Sequence, residues 1–188
     1  MNYADIKQYD IANGPGVRVS LFVSGCTHHC KGCFNEETWD FNYGQLFTSE
    51  TIQTILEYLK PDYIRGLTIL GGEPFEHTNQ FGILPLLHAV KQAYPNKSIW
   101  CYTGYLFDEA IVNQMIPKWP ETTDLLTYID VLVDGPFIEE LKKSGLRFKG
   151  SENQRIICVK ESMRTGHIVL WDETQDFFPS IHPSEHSL

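Results

Sequence analysis

The stretch VRVSLFVSGCTHHCKGCFN, residues 17–35, joins a predicted buried strand to a compact group of cysteines. Residues 17–23 are mostly β-branched, aromatic or apolar, a pattern typical of a buried strand. The rest of the stretch places three cysteines within eight residues: Cys26, Cys30 and Cys33. A glycine precedes the first and the third of them, and glycine allows the tight turns that bring several thiolates to one centre. The stretch therefore predicts a metal site directly after a strand.

The chain has the length and composition of one globular domain, with 188 residues of which 42% are apolar and 21% are charged. It lacks an apolar run of the roughly 18–20 residues that a membrane span needs. Its first ten residues lack the basic-then-apolar pattern of a signal peptide. We therefore expect a cytoplasmic protein with no membrane partner. Nucleic acid is not expected as a partner either, because the formal charge is -9 and phosphate binding needs clustered Lys and Arg.

Five cysteines in a reducing compartment favour a metal or catalytic site over disulfides. Cys101 and Cys158 lie inside predicted strands and are expected to be ordinary buried side chains. For the clustered three, zinc would take His28 or His29 as a fourth ligand. A four-iron cluster usually takes four cysteines, so three would leave one iron open to a substrate or cofactor. The spacing does not choose between the metals, although we expect the histidines to be solvated or outer-shell groups.

Strands and helices alternate along the rest of the chain. Further strands are predicted over residues 66–70, 98–102, 129–134 and 155–159, and helices over 48–60, 79–94 and 106–116. This alternation indicates βαβ units and a single α/β domain with a mostly parallel, curved sheet.

Each of the next three strands is followed by an unusual stretch: GGEP (71–74), TG (103–104) and DG (134–135). The carboxyl ends of parallel strands share one edge of a sheet, and ligands bind there. We therefore expect these three loops and the cysteine loop to meet at one site.

The segment CTHHCKGC, residues 26–33, fits CxxxCxxC and resembles the signature of radical S-adenosylmethionine enzymes, with Phe34 as the aromatic residue that follows it. GGEP resembles the second motif of that superfamily, and the two motifs have the expected order and separation. By this resemblance, the three cysteines bind one [4Fe-4S] cluster per chain. The open iron is then chelated by the amino and carboxylate groups of S-adenosylmethionine.

Further segments resemble the glycyl-radical-enzyme activases of that superfamily: residues 10–26, 34–39, 100–105, 131–137 and 150–157. Together they are most similar to the activases that act on anaerobic ribonucleoside-triphosphate reductase. The resemblance covers about residues 1–160, interpreted as the activase domain, and leaves 161–188 as a C-terminal extension predicted to be partly disordered. It implies an incomplete (β/α)6 barrel of radical S-adenosylmethionine type, open on one side.

The resemblance also implies a reaction and its partners. An external one-electron donor, expected to be flavodoxin-like, reduces the cluster. Reductive cleavage of S-adenosylmethionine then yields methionine and a 5′-deoxyadenosyl radical, which takes a hydrogen atom from a glycine of the reductase. The cofactors carry the difficult step, while the protein orients them and excludes solvent.

The resemblance assigns cofactor contacts to residues of the first two motifs. Gly32, Cys33 and Phe34 would present backbone and ring to the adenine. Gly72 would allow close approach of the backbone, and Glu73 would accept a hydrogen bond from the ammonium group.

Four further residues have less definite roles. Asn35 would contact the cofactor or orient the cysteine loop. Thr103 and Asp134 would touch the methionine or ribose end, or would serve as caps and turn residues, which both types favour. Arg18 is expected near the site, without an assigned role.

Two alternatives stay open from the sequence. The chain could activate another glycyl radical enzyme, such as pyruvate formate-lyase, with the same chemistry and a different partner. It could instead be a non-catalytic zinc or iron–sulfur protein, although GGEP would then have no evident use.

Overall fold

The computed structural model describes residues 1–172. Its strands are β1 (Asn2–Asp10), β2 (Val17–Val23), β3 (Gln45–Leu46), β4 (Ile64–Gly71), β5 (Ser98–Tyr102), β6 (Val131–Asp134) and β7 (Arg155–Cys158). Its helices are α1 (Ser49–Leu59), α2 (His77–Ala93), a π-helix (Phe107–Met115), α3 (Ile116–Lys118), α4 (Pro120–Tyr128) and α5 (Val159–Thr165), with short 3₁₀ turns at Glu36–Trp39 and Glu139–Leu141. Over these residues, no helix combines the length and the apolar character needed to cross a bilayer.

All seven strands belong to one open sheet with the order β3-β1-β2-β4-β5-β6-β7. The four strands β2, β4, β5 and β6 are parallel, whereas β1, β3 and β7 pair antiparallel with their neighbours. The prediction of a mostly parallel sheet is therefore right for the centre and wrong for the edges. The connections of β1 to β2 and of β6 to β7 contain no α-helix, and a parallel crossover normally needs one.

The predicted strands 17–23 and 98–102 are confirmed as β2 and β5, and the other three agree to within two residues at each end. The helix predicted over 48–60 is confirmed as α1, which is capped at Thr48 by a capping box with Thr51. The helix predicted over 106–116 is confirmed over Phe107–Met115, with the hydrogen bonding of a π-helix. Its backbone bonds span five residues, as from the Ile111 amide to the Leu106 oxygen at 3.2 Å, so it is a π-helix.

The two faces of the sheet are covered differently. Alternate residues of the parallel strands, such as Leu21, Ile69 and Leu132, pack with the helices in the main core. The intervening residues point to the other face, where Trp100, Val131 and Val133 form a smaller apolar cluster. Because strand side chains alternate in direction, this second face is left for a site at the carboxyl ends of β2, β4, β5 and β6.

Arg18 lies on this second face, near the amino end of β2, and is fully buried. Its guanidinium donates to Thr68 Oγ1 at 2.7 Å, to Ser98 Oγ at 3.0 Å and to two backbone oxygens. Burial lowers its pKa to about 9. Arg18 therefore braces three strands at the end of the sheet opposite to the cysteine loop.

The chain after residue 160 continues to pack on the domain as far as it is described. The boundary predicted after residue 160 falls inside α5, which ends at the left-handed Gly166. Leu170 forms a β-bridge with Ile157, and the ring of Trp171 lies 5.1 Å from that of Trp100. The remainder of the predicted extension, residues 173–188, lies outside the described residues.

Candidate metal and cofactor site

A cavity of about 440 Å³ lies at the carboxyl ends of the parallel strands. This volume falls within the range of small-molecule sites. All four predicted loops contribute to its lining, through Cys26, Cys30, Cys33, Gly72, Glu73, Thr103, Gly104 and Gly135. Residues 136–150, which we call the cover segment, complete the wall through Phe137, Leu146, Phe148, Lys149 and Gly150.

The cysteine loop turns sharply at Gly25, directly after β2. Its φ of +99° lies in the left-handed region that favours glycine. A side chain there would also meet the ring of Phe41, since an added Cβ would lie 2.3 Å from it. The turn is fixed by the Gly25 amide, which donates to the oxygen of Thr38 at 2.7 Å. This geometry directs the following residue, Cys26, into the cavity.

The three thiols are free, with Cys26 buried and Cys30 and Cys33 half-buried. Burial raises the pKa of Cys26 to about 11, and burial also raises the pKa of Cys30. The Asn35 amide donates a hydrogen bond to Cys33 Sγ at 3.4 Å. The amides of His28 and His29 near Cys26, and that of Phe137 near Cys30, oppose burial by lowering the pKa of each thiol. Such N–H···S bonds are the contacts that tune iron–sulfur sites.

The two histidines considered as zinc ligands have other partners. His28 Nε2 lies 2.9 Å from Glu73 Oε2, and the ring of His29 stacks on Trp39 at 4.6 Å. Within residues 1–172, no three His, Cys, Asp or Glu side chains converge closely enough to hold a single metal ion. The cysteines line the cavity separately, as a cluster would require, since each thiolate then binds a different iron.

The GGEP turn lies directly against the cysteine loop. The Gly72 amide donates to the oxygen of Val23 at 2.7 Å, and the Glu73 amide donates to the oxygen of Gly25 at 2.8 Å. A Cβ on Gly72 would lie 2.6 Å from the Gly25 oxygen, so this contact requires glycine. Gly72 thus permits the close approach of the GGEP turn to the cysteine loop at Gly25.

Sequence reasoning missed Asn79, which lies in the first turn of α2 and is buried. Its amide donates to the oxygens of Ser24 at 3.0 Å and Glu73 at 2.9 Å, with a longer contact to Gly25 at 3.4 Å. One side chain therefore holds both loops. The available signal was an Asn at the start of a predicted helix, just after a glycine-rich turn. An amide that is buried at such a place needs hydrogen-bond partners in the neighbouring loops.

Glu73 is 1% exposed, and its carboxylate accepts four hydrogen bonds. The donors are the amides of Phe75 and Gly104 and the Thr103 hydroxyl, each at 2.8 Å, and the His28 imidazole at 2.9 Å. A carboxylate has about four acceptor positions, so its capacity is filled. Thr103 Oγ1 in turn accepts from the Tyr105 amide at 3.1 Å, which makes Thr103 a turn residue as well as a partner of Glu73.

The other predicted site residues divide into two groups. Phe34 and Asn35 line the cavity, whereas Gly32 and Asp134 lie outside its wall. Asp134 is fully buried, accepts from the Phe107 amide at 2.8 Å and forms an ion pair with Arg155. Asp134 therefore anchors the π-helix to β7, and only its neighbour Gly135 reaches the cavity.

The cover segment closes on the cysteine loop through exposed contacts. The ring of Phe34, which is 61% exposed, lies 5.0 Å from that of Phe137, with Lys142 Nζ 4.6 Å from it. Lys31 pairs with Glu139 at 3.1 Å and Glu140 at 3.2 Å. The outer edge of the segment is thus held by side chains in water, while its inner side packs through Phe148 on Trp100 and accepts a hydrogen bond from Tyr102 at 2.8 Å.

Comparison with known proteins assigns the chain to a family. It matches the family model of the 4Fe-4S single cluster domain over residues 12–157. It is 44% identical over 158 residues to the anaerobic ribonucleoside-triphosphate reductase-activating protein of Vibrio cholerae, covering 83% of this chain and 97% of that protein. The chain belongs to the family of anaerobic ribonucleoside-triphosphate reductase-activating proteins. The reductase-activating protein of Enterobacteria phage T4 is 42% identical over 156 residues, which cover 83% of this chain and 93% of the phage protein.

The reductase-activating protein of Escherichia coli K12 is similar to the same extent, at 42% identity over 156 residues, covering 82% of this chain and 96% of that protein. The residues matched to the 4Fe-4S domain include the three clustered cysteines, GGEP and the cover segment. The whole cavity wall except Lys7 therefore lies within the matched residues.

Proposed function

We propose that this protein activates an anaerobic ribonucleoside-triphosphate reductase by reductive cleavage of S-adenosylmethionine at one [4Fe-4S] cluster, which generates a glycyl radical on the reductase. The observation that carries the proposal is the joining of three free thiols to the GGEP turn at one cavity. Membership of the reductase-activating protein family supports the choice of partner.

The residues present fit an iron–sulfur cluster. Cys26, Cys30 and Cys33 would hold it, with backbone amides already directed at their sulfurs. The wall supplies no fourth cysteine among the described residues, so one iron would be left for the amino acid part of S-adenosylmethionine. Together these cofactors supply a one-electron cleavage of the sulfonium C–S bond that yields methionine and a 5′-deoxyadenosyl radical.

The chain's own residues would orient the cofactors and exclude water. Phe34 and Phe137 present apolar ring surface at the mouth, suited to the face of an adenine. Phe22 and Leu70 form apolar floor between the strands. Glu73 places a buried negative charge on the wall, where it favours a cationic group. A partly apolar wall that carries the Glu73 carboxylate and the ammonium groups of Lys7 and Lys149 suits a zwitterionic nucleoside better than a bare metal ion.

We further propose that the open sheet is a short form of the incomplete (β/α)6 barrel of radical S-adenosylmethionine type. Four parallel strands with helices on one face and a cavity at their carboxyl ends support this assignment. The open side would admit the glycine-bearing loop of the reductase. A flavodoxin-like one-electron donor in the cytoplasm would supply the reducing electron.

The test is anaerobic. The protein is reconstituted with iron and sulfide, reduced, and assayed with S-adenosylmethionine for 5′-deoxyadenosine, with and without the anaerobic reductase. We expect 5′-deoxyadenosine together with a glycyl radical signal on the reductase. Cleavage without that signal, and with a signal on pyruvate formate-lyase, would transfer the function to another activase. Bound zinc without cluster or cleavage would make the thiols a structural site and overturn the proposal.

A further inference from the structure

The four donors on the Glu73 carboxylate differ in how easily they can be replaced. Two are backbone amides, of Phe75 and Gly104, fixed by the loops that follow β4 and β5. The third is the hydroxyl of Thr103, which is 5% exposed and is itself bonded to the Tyr105 amide. The fourth donor, the His28 imidazole, also borders the cavity, and its side chain is more exposed than that of Thr103, at 19% against 5%.

His28 is placed for this contact by its surroundings. Its Nε2 lies 2.9 Å from Glu73 Oε2, and its side chain is 19% exposed. The ring packs edge-on against Tyr105, with centroids 4.3 Å apart. It also lies over Gly104, where an added Cβ would come within 2.6 Å of the imidazole. The glycine of the TG stretch therefore makes room for the histidine of the cysteine loop.

We propose that His28 occupies the position on Glu73 that the ammonium group of S-adenosylmethionine takes, and that the cofactor binds by displacing it. The inference rests on the proposed function and deepens it. Because the carboxylate's four acceptor positions are filled, an ammonium group has to replace a donor rather than add one. The His28 bond comes from the more exposed of the two side-chain donors, so it is the one that the amino group of a ligand in the cavity can replace.

This exchange has two consequences. Without cofactor, His28 keeps a buried carboxylate fully hydrogen-bonded, which avoids the cost of an unpaired acceptor. With cofactor, the same bond is a competitor that lowers affinity and selects for ligands carrying an amino group. Removing the imidazole donor should therefore strengthen the binding of S-adenosylmethionine, the reverse of what a contact residue would do.

The experiment measures S-adenosylmethionine affinity by anaerobic calorimetry on reconstituted, unreduced protein, so that no cleavage occurs. His28→Ala should bind roughly threefold to tenfold more tightly than wild type, the effect of one net hydrogen bond. His28→Gln, whose amide can donate to Glu73, should return the affinity toward wild type. His29→Asn is the matched control, because His29 stacks on Trp39 and should leave the affinity unchanged. A deaminated cofactor analogue should show no gain in His28→Ala.

Iron and sulfide contents are measured first in every variant. Should His28→Ala assemble less cluster, His28→Leu takes its place, because it keeps an apolar contact with Tyr105 and has no donor. Equal or weaker binding of S-adenosylmethionine by a variant with an intact cluster would overturn the displacement of His28 from Glu73. It would leave the proposed function standing. Loss of the cluster in both variants would make His28 a loop-positioning residue and overturn that displacement too. Wild-type protein with an intact cluster but no affinity would overturn the proposed function itself.

Discussion

The backbone amide of Glu73 donates a hydrogen bond to the carbonyl oxygen of Gly25 over 2.8 Å. This bond joins the turn after β4 to the turn that introduces the cysteines. Two sequence motifs that are distant along the chain therefore form one structural unit. A change in either turn should therefore alter the positions of the three thiols.

Replacing Cys26, Cys30 or Cys33 by serine should each abolish the intact cluster, since each thiol lines the cavity and no spare cysteine stands among the lining residues. Iron and sulfide analysis with electron paramagnetic resonance of the reduced protein measures the loss. Cys158→Ser is the matched control, because Cys158 is buried at the end of β7, away from the cavity. A full cluster in any of the three loop variants would remove that cysteine from the ligand set.

Gly72→Ala should destabilise the protein by about 1–3 kcal/mol, as expected for overpacking, because the new Cβ would lie 2.6 Å from the Gly25 oxygen. Urea unfolding under anaerobic conditions measures the change, and cluster content should fall with it. Gly145→Ala serves as control: its φ of +88° strains alanine, but nothing lies within 4 Å of the added atom. If both variants lost the same stability and kept the cluster, the loop contact at Gly72 would not be needed.

Asn79→Ala should lose roughly 2–3 kcal/mol of unfolding free energy, because it removes the amide donor from the buried Ser24 oxygen and one of the two donors from the Glu73 oxygen. The cysteine loop should also exchange its amide hydrogens faster, which hydrogen-exchange mass spectrometry detects. Asn96→Ala, an exposed change in the turn before β5, should have neither effect. Unchanged exchange in the cysteine loop would show that Asn79 supports α2 alone.

Asp130 predicts a specific pH dependence of stability. Burial alone would raise its pKa, but the charge of Lys91 at 2.8 Å and bonds from Lys160 and the Ile99 amide outweigh burial and lower the pKa below 3.8. Because the folded state holds the charged form, this stabilisation is complete above 3.8 and is lost as pH falls through the lower folded value.

Asp130→Asn should therefore be less stable at neutral pH and should lose less stability than wild type between about pH 5 and pH 2. Chemical unfolding across that range measures both slopes. Asp124→Asn, at an exposed position of α4, should keep the wild-type slope. A slope in Asp130→Asn as steep as that of wild type would assign the acid sensitivity to other carboxylates.

The parallel core could be predicted because its strands are short apolar runs bounded by turn residues. The edge formed by β1 and β3 could not. Residues 2–10 mix Lys, Gln, Asp and Tyr, since β1 faces water along much of its length, and no apolar pattern marks it as a strand. Helix α4 was missed for a similar reason, as Leu125 and Leu126 are its only aliphatic side chains.

The candidate site was predictable where the residue type itself indicates the chemistry. It was not predictable where a side chain's role depends on its hydrogen-bond partner in the folded protein. Cysteines and glycines at their spacing indicate a cavity wall, and the structure brings them together. Their binding roles stay predictions. The sequence could not reveal that Asp134 forms an ion pair with Arg155, or that the Glu73 carboxylate already accepts four hydrogen bonds. Both facts depend on residues that are distant along the chain.

The cavity combines two loops joined by backbone bonds with a cover that is held differently on its two sides. Backbone bonds and the buried Asn79 join the loops. The cover segment is held on its inner side by the Tyr102 hydroxyl, which donates to the Phe148 oxygen at 2.8 Å, and at its outer edge by Lys31, which pairs with Glu139 and Glu140 in water. Exposed ion pairs contribute little to stability and weaken with salt. The outer edge of the cover is therefore sensitive to ionic strength, whereas the loops that carry the thiols are held by bonds that salt does not screen.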